Sequence, residues 1–344
     1  MAESRSSTNG SPAGKSPVSK ILVGVIVVAA IALVVLVALA VRQQSAQQAS
    51  SSQTTAVVAP STTVVSTTQG EPATSVSTTT VGAEGVDVVD HVVQMGLIQR
   101  EYLTVAPKDF QPTEKLPVVI ALHGLGVDRR AMLNAASWRQ AVAQDRFLAV
   151  FPQGVANSWN VGPCCPPASL LAIDDLGFLD QVVAQVSAEP NTDAQRLYVS
   201  GFSNGAIMAY YLACSRPGVY QAVAPIAGSN LTGCTPPQPI SLLHQHSDPD
   251  PVVPFDGKPT VAQILSSATF PSVPASVAAW AAADGCPAQP TVSTQAGGVE
   301  RSVWEPCASG TRVELVRLPG RGHNWPNKGP YDGLQELLAF FNIE

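Results

Sequence analysis

Six short apolar runs punctuate the chain from Leu116 onward, at residues 116–123, 147–151, 196–201, 222–227, 239–243 and 313–318. Runs of this length, bounded by Gly and Pro, read as strands buried on both faces. Residues 130–144, 174–187, 204–215, 275–283 and 331–341 carry apolar positions at helical spacing instead. Asp174 and Asp175 open the second of these, where the helix dipole favours negative charge. Strands that alternate with helices pair in parallel through crossovers, so the predicted class is α/β, with a mostly parallel central sheet covered by helices on both faces. In such sheets function gathers at the carboxyl ends of the strands.

The front of the chain is different. Residues 21–41 contain no charged or polar side chain, which is long enough to span a bilayer as a helix. A cleavable signal peptide would have a shorter apolar region of roughly 7–15 residues. Lys15 and Lys20 precede the run, so the expected topology has residues 1–20 as a cytoplasmic tail and 21–41 as a transmembrane anchor or uncleaved signal segment. Residues 42–85 are mainly Ser, Thr, Gln, Ala and Val without an apolar period, the composition of a disordered stalk, and 86–344 is the folded domain. That domain is then exported, either anchored or secreted.

Charge narrows the function classes. Only 13% of residues are charged and the formal net charge is −6, so the chain lacks the basic surface that a nucleic-acid binder needs. All six cysteines lie in the exported part, as expected of disulfides in an oxidising compartment. Six cysteines allow 15 connectivities. Sequence proximity suggests Cys214 with Cys234 and Cys286 with Cys307, leaving the adjacent Cys164 and Cys165 for a vicinal bond or free thiols.

The sharpest chemical signal is Gly201-Phe202-Ser203-Asn204-Gly205, where a predicted strand turns into a predicted helix. Glycines two positions either side of a serine permit a tight turn that projects the hydroxyl, so Ser203 is the candidate nucleophile. The helix that follows aims its first amides at the site, making the N–H of Asn204 a candidate oxyanion donor. Leu122-His123-Gly124-Leu125-Gly126 follows an early strand and offers the second donor, the N–H of Leu125, with His123 as a shaping residue. His323, in a Gly/Pro-rich loop after the last predicted strand, is the candidate base. Asp248 and Asp250 both stand in a loop that could supply the acid to orient it. A competing reading takes His244-Gln-His246-Ser-Asp248 as zinc-ligand spacing.

With these residues in place the sequence resembles the secreted α/β-hydrolase esterases of the polyhydroxybutyrate depolymerase and feruloyl esterase group. The resemblance covers most of residues 95–344. It rests on Leu-His-Gly at 122–124, Asp-Asp-Leu-Gly-Phe at 174–178, Gly-Phe-Ser-Asn-Gly at 201–205, an acid loop ending in Val-Pro, and Gly-Arg-Gly-His-Asn-Trp-Pro at 320–326. It implies an α/β-hydrolase fold for 86–344 and a Ser203, Asp250 and His323 triad, because Asp250 keeps the spacing to Val253-Pro254 and Asp248 does not. Ser247 departs from the glycine usual in the family. The resemblance also implies hydrolysis of carboxylic esters, feruloyl, aryl, acetyl or short hydroxyacyl, free or attached to polysaccharide or polyester, through an acyl-enzyme and without a cofactor. Trp159, in the loop 157–160, and Trp325 either line the acyl or alcohol pocket or pack in the core, where buried tryptophans are common. Two other readings stand beside it: an inactive hydrolase-like binding module, and a metal-dependent hydrolase built on His244 and His246. The sequence does not specify an oligomeric state.

Overall fold

In a computed structural model of the chain, residues 77–81, 85–111, 113–258, 269–327 and 329–343 are described. The expected tail and anchor, residues 1–41, lie outside the described residues, as does most of the expected stalk. Among the described residues no helix is long and apolar enough to cross a membrane.

The described strands form one sheet of eleven: β1 (Ser77–Val81), β2 (Val86–Met95), β3 (Ile98–Pro107), β4 (Leu116–Leu122), β5 (Leu148–Pro152), β6 (Thr192–Phe202), β7 (Ala222–Ile226), β8 (Ser241–Asp248), β9 (Thr291–Thr294), β10 (Glu300–Trp304) and β11 (Val313–Pro319). Their order across the sheet is β1-β2-β3-β5-β4-β6-β7-β8-β11-β10-β9. The middle six, β5 to β11 in that order, pair in parallel, and antiparallel hairpins close both edges. The six central strands are those expected from the apolar runs. The edge hairpins are additional, and β1 shortens the expected stalk, since Ser77–Val81 pairs with Asp87–His91.

Period two divides every central strand between two cores. Val118, Ile120 and Leu122 of β4 face one core with α3 (Asp175–Ala188), α4 (Asn204–Ser215) and α5 (Val273–Ala283). Val119 and Ala121 face the other with α1 (Arg129–Asn134), α2 (Trp138–Asp145) and α6 (Gly333–Phe340). All seven residues of β4 are buried, so a sheet with two covered faces accounts for the near-continuous apolar runs. The single helix expected over 130–144 is broken at residues 135–137 into α1 and α2, and Asp128 caps α1 through the N–H of Ala131. Three disulfides form, Cys214–Cys234, Cys286–Cys307 and the vicinal Cys164–Cys165.

Candidate active site

Because β4, β6, β7, β8 and β11 are parallel, the segments after their carboxyl ends share one edge of the sheet. Ser203 sits between the end of β6 and the start of α4 with φ +56 and ψ −118, a conformation that a non-glycine residue seldom adopts. Crowding requires both flanking glycines. A Cβ at Gly201 would collide with the Gly205 carbonyl, and one at Gly205 with the Leu122 carbonyl. The Ser203 N–H donates to Ile226 C=O at 2.9 Å, fastening the turn to the end of β7.

The loop after β11 brings His323 to this serine. His323 Nε2 lies 2.9 Å from Ser203 Oγ, and Nδ1 lies 2.7 Å from Asp250 Oδ2. A carboxylate only accepts, so Nδ1 carries the hydrogen and Nε2 is left as the acceptor facing the hydroxyl. Asp250, 4% exposed, has its other oxygen occupied: Oδ1 accepts the N–H groups of Val252 at 2.8 Å and Val253 at 2.9 Å. Asp248 turns away, its Oδ2 accepting Nε and Nη2 of Arg317 at 2.9 and 2.6 Å. Ser247 has a use for its hydroxyl, which accepts the Arg321 N–H at 2.9 Å and joins the acid's loop to the histidine's.

Gly124 brings the loop after β4 close: a Cβ there would lie 3.4 Å from Ser203 Cβ. Leu125 follows it, 48% exposed, and Asn204 begins α4, where the first N–H groups of a helix have no intrahelical acceptor. The Asn204 side chain has a task that sequence reasoning missed. Its Oδ1 accepts the Trp159 N–H at 2.7 Å and its Nδ2 donates to Trp159 C=O at 3.1 Å.

Trp159 takes the packing alternative. Its side chain is fully buried, donates from Nε1 to His123 C=O at 2.9 Å and tilts against the His123 ring, so it backs the Gly124 loop. Trp325 is 8% exposed and packs between Trp138 and Phe202, which leaves little surface for a substrate. His123 is tied to the backbone of two loops: Nε2 accepts the Gly154 N–H at 2.9 Å, Nδ1 lies 2.9 Å from Gly124 C=O, and burial pushes its pKa down to about 4. The acidic pair at 174–175 is divided. Asp174 caps α3, whereas buried Asp175 binds Arg100 at 2.7 Å and accepts the Asn160 N–H at 2.7 Å. Removing either partner of that ion pair would strand a buried charge, at roughly 3–5 kcal/mol. Arg100 was invisible as a partner because 75 positions separate it from Asp175.

The zinc-ligand reading of His244 and His246 does not fit. Their four ring nitrogens are engaged by the Tyr210 hydroxyl, by each other and by Val253 C=O. Among the described residues no group of three His, Cys, Asp or Glu side chains stands close enough to hold a metal ion.

A parallel sheet flanked by helices on both faces, with a serine on the turn between strand and helix and a histidine loop after the last parallel strand, defines the α/β-hydrolase class. Residues 99–295 match the family described as "Putative esterase", and the chain belongs to that esterase family. It is 27% identical over 65% of its length to feruloyl esterase B of Piromyces equi, of which it spans only 42%. It is 31% identical over 78% of its length to "Putative esterase NocK" of Nocardia uniformis subsp. tsuyamanensis, covering 82% of that protein. The fold is similar to that of the acetyl xylan esterase from Aspergillus awamori, with a TM-score of 0.53 at 13% identity over 71% of this chain and 94% of that one.

Proposed function

We propose that the chain is a serine esterase that cleaves carboxylic esters by acyl transfer. One observation carries the reading: Ser203, His323 and Asp250, from three separate segments, stand in a continuous line of hydrogen bonds at the sheet's carboxyl edge. Ser203 Oγ attacks the ester carbonyl carbon while its proton passes to His323 Nε2. The N–H groups of Leu125 and Asn204 hold the oxyanion, and Asp250 offsets the imidazolium charge. The ester C–O bond then breaks, the leaving alkoxide takes the proton, and water attacks the acyl-enzyme by the same route in reverse. The alternative of an inactive binding module has no need for that alignment. No step calls for a cofactor.

Leu125 and Val127 after β4, Leu170 and Leu171 after β5, and Val252 after β8 are exposed apolar side chains on loops at that same edge. They support an ester with an apolar portion, in keeping with the feruloyl and acetyl groups in the relatives' names. The three disulfides support an extracytoplasmic location, and we extend the proposal to export of residues 86–344 behind an anchor at 21–41.

An alkoxide departs more readily than an unprotonated amine, so the expected kcat/KM for a short aryl or feruloyl ester far exceeds that for the matching anilide. Steady-state rates on the two substrates check this. Faster anilide cleavage would reassign the chain to peptide-bond chemistry.

A further inference from the structure

We propose that His246, backed by His244 and Tyr210, is a positioning residue that holds Asp250 in register with His323. The proposal rests on the esterase reading of Ser203, His323 and Asp250. Three buried groups that the mechanism does not use form a single line: Tyr210 Oη to His244 Nδ1 at 2.6 Å, His244 Nε2 to His246 Nδ1 at 3.0 Å, and His246 Nε2 to Val253 C=O at 2.8 Å.

One atom sets the direction of every bond in it. A carbonyl only accepts, so His246 Nε2 carries a hydrogen, and in a neutral ring Nδ1 is then bare. His244 Nε2 must donate to that bare nitrogen, which leaves His244 Nδ1 bare in turn, and the Tyr210 O–H donates to it. Burial lowers the pKa of both imidazoles and raises that of Tyr210, so the line is held together without charge. The two rings stack with 5.2 Å between centroids and 9° between planes, which leaves neither free to turn.

The two ends of this line explain its use. Tyr210 belongs to α4, the helix that begins immediately after Ser203. Val253, at the other end, lies in the acid's loop, and its N–H is one of the two donors that occupy Asp250 Oδ1. His246 Nε2 also stands 3.5 Å from Asp250 Oδ2, the oxygen that receives His323. Pinning Val253 therefore fixes which carboxylate oxygen faces the imidazole, and the pin is anchored in the nucleophile's own helix. Buried as they are, these groups are shielded from bulk solvent, and a donor lost among them is costly.

Two amide variants separate this role from simple packing. His246→Gln can place a donor where ring Nε2 stood, whereas His246→Asn reaches only the position of Nδ1. On a short-chain aryl ester His246→Asn is expected to lower kcat roughly 10- to 100-fold with KM nearly unchanged, and His246→Gln to recover most of it. Equal kcat in the two variants, whether near wild type or reduced together, would overturn the proposal. Tyr210→Phe keeps the ring and removes the first donor, so the low-field proton resonance of His323 Nδ1–H should move upfield in folded protein. An unmoved resonance would also overturn it. This second readout needs no turnover, so a wild-type protein that hydrolyses no ester would sink the esterase reading and still leave the positioning role measurable.

Discussion

Ser203→Ala is expected to lower turnover of an activated ester by on the order of 10⁶-fold while leaving the fold in place. Without Oγ there is no atom to form the acyl-enzyme, and the proposed oxyanion donors, the Leu125 and Asn204 amides, would alone sustain only a residual rate of about 10³- to 10⁴-fold over water. The fold should survive because Ser203 is only partly buried and its hydroxyl bonds to His323, not to a structural partner in the core. Alanine keeps the Cβ that makes φ +56 costly, so the backbone strain stays and thermal unfolding should be nearly unchanged. Turnover by this variant, compared with wild type at equal folded concentration by circular dichroism, checks the expectation.

Asp250→Asn should cost nearly as much, about 10⁴-fold in kcat, through a particular error of tautomer. Val252 and Val253 donate two N–H groups to Oδ1, so an amide at 250 will keep its oxygen there and turn its NH₂ toward His323. His323 Nδ1 must then accept, the hydrogen moves to Nε2, and the ring can no longer take the proton of Ser203. Asp248→Asn is the matched control. It loses a half-exposed pairing with Arg317, worth roughly 0–1 kcal/mol, and should change kcat by a few-fold at most. The reverse ranking of these two variants would move the acid from Asp250 to Asp248.

Much of this arrangement was legible in the sequence, and the physical reason differs from part to part. The central strands announced themselves because burial on both faces removes polar residues from them, as in the fully buried β4 and β7. The edge hairpins did not. β9 is exposed along its whole length, and β2 mixes Asp87, Asp90 and His91 with valines because its burial is incomplete. Ser203 and its glycines could be read because crowding at the turn restricts the residue type at three positions in five. The choice between Asp248 and Asp250 came from resemblance to a family, since the local sequence presents two carboxylates in equivalent company.

The supporting residues were hardest to read. Sequence leaves Trp159 open between a pocket and the core, because nothing linear shows that its indole N–H meets the His123 carbonyl. His244 and His246 were legible as a pair on one strand face by alternation. Their partners, Tyr210 and Val253, come from a helix and a loop, and nothing in a linear pattern joins a tyrosine at 210 to a histidine at 244. Such contacts exist only once α4 has packed on the sheet.

If Ser203 is a nucleophile activated by His323, it can be trapped covalently. A fluorophosphonate probe added to the purified domain, followed by peptide mass mapping, should place one equivalent on Ser203 in the wild type and none in Ser203→Ala. Labelling should be markedly slower in Asp250→Asn. Steady ester hydrolysis by a protein whose Ser203 stays unlabelled, or a label carried by a different residue, would contradict it.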